Sequence, residues 1–85
     1  PGAIVIGDVH LGERASVWFQ SVLRADINYI KVGDDSNIQD ACVLHVTRKH
    51  GLEIGKRVTV GHSAVLHGCT IGDDCLIAMG AIVLD

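Results

Sequence analysis

The chain carries five histidines, and two of them, His62 and His67, fall within one apolar, glycine-punctuated run, Val60-Gly61-His62-Ser63-Ala64-Val65-Leu66-His67-Gly68. Imidazole is the commonest protein ligand for a transition metal and the side chain that exchanges protons most readily near neutral pH. Thiol chemistry is less well served. Cys42, Cys69 and Cys75 are odd in number and form no C-x-x-C pair, so reduced thiols in a reducing compartment fit better than a disulfide framework. A third histidine, His45, lies 22 residues before His67, which is no familiar chelate spacing. Whether these imidazoles share an ion is decided by the elements that carry them.

Those elements are betrayed by a repeat. Aliphatic-glycine pairs recur at Ile6-Gly7, Leu11-Gly12, Val32-Gly33, Ile54-Gly55, Val60-Gly61 and Ile71-Gly72, and counting on in sixes from Leu11, Val32, Ile54 and Ile71 gives twelve positions that are all Leu, Ile or Val. They sort into three columns: Leu11, Val32, Ile54, Ile71; then Val17, Ile38, Val60, Ile77; then Leu23, Leu44, Leu66, Val83, with Ile6 read as heading the third. The gaps within every column are 21, 22 and 17 residues. Such lockstep predicts an all-β chain, a coil of about 17 residues with three short strands stacked four to five times around a shared aliphatic core. Two coils are longer, and their extra residues are expected to loop out near Ile27–Lys31 and Val46–Glu53. The residue four places after an inward aliphatic is usually small, as at Ala15, Ser21, Ser36, Cys42, Ala64, Cys75 and Ala81, which suits tight corners. Helix is excluded by the frequency of Val, Ile and Gly and by the lack of sustained three-and-four apolar spacing.

On such a coil the residue after each inward aliphatic points outwards. Arg24, His45 and His67 then stand one above another, and strands ~4.7–4.9 Å apart would let one nitrogen from each of His45 and His67 reach a zinc ion at ~2.0–2.1 Å. His62 lies in line with Asp40 on a different strand, and its odd offset from His67 turns it away from that stack. A second copy could supply it. In a threefold trimer, His45 and His67 of one chain could face His62 of the next, three imidazoles with a fourth position open, as in catalytic zinc sites. The competing reading is that outward histidines on a solenoid are simply polar surface, with Arg24 a solvated strand residue paired to Asp26 or Asp40. Asp26 and Gln39 lie near the histidines by register, which favours the site. His10 and His50 occupy other registers and are assigned no catalytic role, and Trp18 and Tyr29 are expected to pack at a subunit face.

Composition narrows the function classes. The net charge is −3 and the basic residues Arg14, Arg24, Lys31, Arg48, Lys49, Lys56 and Arg57 are scattered, so no phosphate-binding surface and no nucleic-acid partner are indicated. No apolar run approaches the ~20 residues that span a bilayer, so no membrane partner is expected and the cytoplasm is the expected location. At 85 residues the core is small, and oligomerisation is expected. The pattern stops in mid-coil at Asp85, so residues 1–85 are expected to be one β-helix domain cut from a longer protein.

The motifs Gly7-Asp8-Val9, Ser16-Val17-Trp18, Val22-Leu23-Arg24-Ala25-Asp26, Ser36-Asn37-Ile38-Gln39-Asp40, Leu44-His45 and Val60-Gly61-His62 through Leu66-His67-Gly68-Cys69-Thr70-Ile71-Gly72 together resemble the γ-class carbonic anhydrases and their bacterial homologues, over nearly the whole chain. The resemblance implies a left-handed parallel β-helix of hexapeptide repeats, assembled as a homotrimer. It implies Zn²⁺, or Fe²⁺ or Co²⁺ in its place, held by His45, His62 and His67, the middle one crossing from the adjacent subunit. It further implies ion pairs from Arg24, Asp26 and Asp40 at the subunit contact, and a hydrogen bond from Gln39 to metal-bound solvent. The implied reaction is reversible hydration of carbon dioxide to bicarbonate, by hydroxide formed because the metal brings water to a pKa near 7. Two features depart from the family's founding enzyme. Its acidic loop with a glutamate proton shuttle is replaced by the short, basic Val46-Thr47-Arg48-Lys49-His50-Gly51-Leu52-Glu53, in which His50 is the one candidate shuttle, and its final coils and C-terminal helix are absent. A non-catalytic metal-binding homologue and a hexapeptide acyltransferase are the alternatives, and metal content separates the second of these from the rest.

Overall fold

A computed structural model describes residues 2–84. It contains eleven strands: β1 Ile4–Leu11, β2 Ser16–Val17, β3 Val22–Val32, β4 Asn37–Ile38, β5 Val43–His45, β6 Leu52–Ile54, β7 Thr59–Val60, β8 Val65–His67, β9 Thr70–Ile71, β10 Leu76–Ile77 and β11 Ile82–Val83. Every pairing is parallel. One sheet is β2-β4-β7-β10, and in the other β1 lies along one edge of β3 while the opposite edge continues into β5-β8-β11 from its first residues and into β6-β9 from its last. This is the expected left-handed parallel β-helix of four to five coils.

The columns are the strand register. Leu11, Val32, Ile54 and Ile71 are successive partners, as are Val17, Ile38, Val60 and Ile77, and Leu23, Leu44, Leu66 and Val83. Leu23, Ile38, Leu44, Val60 and Leu66 are fully buried, while Leu11, in the first coil, is 46% exposed. At 1.5–3 kcal/mol for each fully buried aliphatic side chain, this core supplies the main cohesive energy of the stack.

Corners are made by single residues with left-handed backbone. Arg14, Gln20, Asp35, Ala41, Arg57, Ser63 and Asp74 all have φ between 55° and 61°. Each is followed by the inward-turning residue of the small column: Ala15, Ser21, Ser36, Cys42, Val58, Ala64 and Cys75. Non-glycine residues rarely adopt this conformation, and at Asp35, Ala41, Arg57, Ser63 and Asp74 the backbone N–H of the corner donates to a carbonyl of the preceding coil, as in Ala41 N–H to Phe19 O and Ser63 N–H to Asp40 O, both 2.9 Å. Ser21 and Ser36 are buried because their hydroxyls are satisfied: Ser21 Oγ donates to Gln39 O and accepts from Cys42 N–H, and Ser36 Oγ does the same with Gly55 O and Val58 N–H. Glycine is needed where coils touch most closely, since a Cβ on Gly33 would stand 2.5 Å from the Gly55 carbonyl.

Two expectations are corrected. Val5, not Ile6, heads the third column, because Val5 pairs with Leu23 and Ile6 with Arg24. The Ile6-Gly7 pair imitates the repeat, but Gly7 sits at a register shift rather than a corner. Nor do the extra residues near Ile27–Lys31 form a loop. β3 runs unbroken through them, and the mismatch with β1 is absorbed as a bulge, Gly7 opposing Ala25 and Val9 opposing Ile30. The second insertion does leave the sheet, between His45 and Leu52. Among the described residues, no helix is long and apolar enough to cross a membrane.

Candidate metal centre

β5 and β8 pair so that His45 lies directly opposite His67, with Arg24 of β3 opposite His45 on the other side. Since Leu44 and Leu66 point into the core, both imidazoles must point out, and their ring centroids lie 5.2 Å apart at 55°. Two imidazoles at one strand spacing can each turn a nitrogen to a common point ~2.0–2.1 Å away, which suits a zinc-sized ion. Asp26 completes this half. Its Oδ1 lies 3.0 Å from His45 Nε2 and its Oδ2 3.5 Å from Arg24 Nε. The hydrogen bond from His45 is the main reason the Asp26 carboxyl sits below the ordinary carboxylate range.

The other half is on the smaller sheet. His62 follows β7, and Asp40 and Gln39 follow β4 one coil earlier, because Ile38 and Val60 are register partners. His62 Nδ1 and Asp40 Oδ1 are 3.8 Å apart. With Gln39, Trp18 and Phe19 they line an open groove of about 330 Å³. Trp18 and Phe19 are roughly half exposed and meet edge to face. The candidate residues are thus brought together as two clusters, Arg24, Asp26, His45 and His67 in one, Gln39, Asp40 and His62 in the other. Among the described residues, no three His, Cys, Asp or Glu side chains of one chain are grouped to hold a metal ion. Within one chain the imidazoles are divided, His45 and His67 together and His62 apart on the other sheet.

His10 bonds to Asp8 at 2.7 Å, away from both clusters. His50 is in the loop after His45, closed by His50 N–H donating to Thr47 Oγ1 and Thr47 N–H donating to His50 O. Sequence reasoning missed what anchors that loop. Asn28, in the strand bulge, donates from Nδ2 to Thr47 O and Arg48 O, and the Tyr29 ring packs over Gly51 while its hydroxyl donates to Glu53 at 2.6 Å. It also missed the Asp26–His45 bond. The signal was available, because Asp26 is two residues beyond Arg24 on a strand and so lies on the same face, beside His45. Cys42 is buried, donates toward Gly61 O, and has its thiol pKa pushed up by burial, which makes it packing rather than reactive chemistry.

The chain is similar to known proteins over its whole length. The family model described as bacterial transferase hexapeptide (six repeats) matches residues 50–85. The chain is 50% identical, over its whole length, to "Gamma carbonic anhydrase 1, mitochondrial" of Arabidopsis thaliana, covering 33% of that protein. It is 45% identical, over 96% of its length, to "Probable carbonic anhydrase" of Methanocaldococcus jannaschii, covering 52% of it. A solved hexapeptide transferase family protein from Anaplasma phagocytophilum superposes with a TM-score of 0.71 at 34% identity, over 99% of this chain and 67% of that one. The chain belongs to the hexapeptide-repeat family, in its γ-carbonic-anhydrase-like branch. It spans between about a third and a half of the length of these two curated relatives.

Proposed function

We propose that residues 1–85 form the β-helix domain of a γ-carbonic-anhydrase-like metalloenzyme that interconverts carbon dioxide and bicarbonate at the interfaces of a homotrimer. The observation that carries this reading is the division of the histidines: His45 and His67 stacked 5.2 Å apart on one face, and His62 isolated from them beside Asp40 on the other sheet. A zinc ion, or iron or cobalt in its place, is held by the pair of one chain and His62 of the next. When bound, such an ion supplies the Lewis acidity that brings water to a pKa near 7.

The chain's own groups do the rest. His62 arrives with Gln39 beside it, whose amide donates a hydrogen bond to the reacting oxygen and orients it. Arg24 and Asp26 fix the rim next to His45, and Arg24 adds positive charge where bicarbonate forms. Asp40 steadies His62. The odd cysteine count without a C-x-x-C pair fits a reducing compartment, the cytoplasm among them. A second reading, a metal-binding trimer without turnover, is favoured by the loop after His45, whose tip carries Arg48, Lys49 and His50 in place of carboxylates. Sedimentation with metal analysis, followed by stopped-flow carbon dioxide hydration, decides between them. Metal-loaded trimer with turnover above buffer supports the enzyme, and metal-loaded trimer without it supports the second reading. A metal-free monomer refutes both.

A further inference from the structure

The site of the proposed function carries one contact that its chemistry does not require. Asp26 Oδ1 sits 3.0 Å from His45 Nε2. An ionised carboxylate only accepts hydrogen bonds, so this contact needs a proton on Nε2. A ring nitrogen has one in-plane position, and while it is filled by a proton shared with Asp26 it cannot be filled by a metal ion. Nε2 is also the nitrogen that matters here. It is the ring nitrogen farther from the backbone, whereas Nδ1 adjoins the side chain's own Cβ–Cγ bond, and an ion shared with His62 of another chain must lie outside the surface of this one. Asp26 has somewhere else to go, since Arg24 Nε already stands 3.5 Å from its second oxygen.

We infer that Asp26 is a displaceable cap on His45 Nε2, which lowers by a few-fold the affinity of the paired histidines of an unassembled chain for metal and swings to Arg24 when the ion arrives. On displacement the Nε2 proton moves through solvent to Nδ1 of a neutral ring, or to bulk solvent from a charged one. The inference rests on the proposed function. Its rival is the familiar arrangement in which a carboxylate on one ring nitrogen orients a histidine that binds metal through the other, and loss of such a partner weakens metal binding about 10–100-fold.

The two predict opposite signs. Displacing one exposed hydrogen bond reduces apparent affinity only a few-fold, so Asp26→Ala is expected to bind zinc about 3- to 10-fold more tightly than wild type, measured by chelator competition on metal-free protein. Simple electrostatics opposes this result, because the variant has lost a negative charge near the cation. The same comparison in a His62→Ala background reads the His45–His67 pair within one chain and is independent of trimer formation, which sedimentation checks in parallel. Tighter binding in both backgrounds supports the cap. Weaker or equal binding in the His62→Ala background overturns it while leaving the proposed site intact. Wild-type protein that takes up no zinc overturns the site and the cap together.

Discussion

The proposed division of the three histidines between chains makes a quantitative prediction about mixed trimers. A His62→Ala chain keeps the His45–His67 pair but has no imidazole to lend, and a His67→Ala chain keeps His62 but has a broken pair. Neither variant alone has a complete site. In trimers assembled at random from equal amounts of both, an interface is complete when the chain offering the pair is His62→Ala and the neighbour offering the single ligand is His67→Ala. Two independent chances of one half give about one complete interface in four. Co-expressed variants, stripped of loosely held metal, should therefore carry about a quarter of the wild-type zinc, against a background near zero for each alone. His45→Ala mixed with His67→Ala is the control, since both break the same half, and no gain is expected. His62 is exposed and His45 and His67 point out of the core, so the variants keep the aliphatic stack that folds the chain. No gain in the first mixture, or an equal gain in the control, would refute the divided site.

Three further outcomes test the fold that positions it. Leu44 is fully buried in register between Leu23 and Leu66, so Leu44→Ala should lower stability by about 2–5 kcal/mol in denaturant unfolding, whereas Met79→Ala, at an exposed position, should change it by less than about 0.5 kcal/mol. Gly33→Ala forces a Cβ to 2.5 Å from the Gly55 backbone while Gly72 has nothing within 4 Å, so circular dichroism should show lost strand signal in the first variant and a wild-type spectrum in Gly72→Ala. Asp35 and Asp74 are held below the ordinary carboxylate range, chiefly by hydrogen bonds from Arg14 and Arg57. Their folded pKa values are depressed, so their contribution is complete above the unfolded carboxylate range and is lost as pH falls through the folded values. Arg57→Ala should accordingly flatten the acid limb of Tm against pH, slightly because the pair is exposed, and leave the neutral range unchanged.

Much of this was legible before any coordinates, for a specific reason. In a solenoid each inward position is repeated by the next coil, so Leu23, Leu44 and Leu66 announce the register, and the register dictates that His45 stands over His67 and not beside His62. The method failed where the repeat is interrupted. Ile6-Gly7 looked like another aliphatic-glycine corner because local composition cannot distinguish a corner from a bulge. The residues from Ile27 to Lys31 looked like a loop because a bulge that keeps its strand pairing on both sides has no periodic signature. The Asp26–His45 bond spans strands diagonally from the edge of that bulge, and periodic reasoning ends there. That His45 stacks with His67 and that Asp26 shares their face could be inferred, but the contact of its carboxylate with His45 Nε2 required side-chain geometry.

The loop from Val46 to Gly51 lies wholly between the two stacked histidines in sequence, yet their separation is not its property. The spacing is a lattice constant of the sheet, set by the hydrogen bonds that join β5 to β8. Residues can be added to or taken from that loop, or its charge reversed, with no change in the distance between the imidazoles. The scaffold thus uncouples two traits that many chelate motifs lock together: the spacing of the imidazoles is inherited with the coil, and the chemistry of the loop between β5 and β6 is left open to variation.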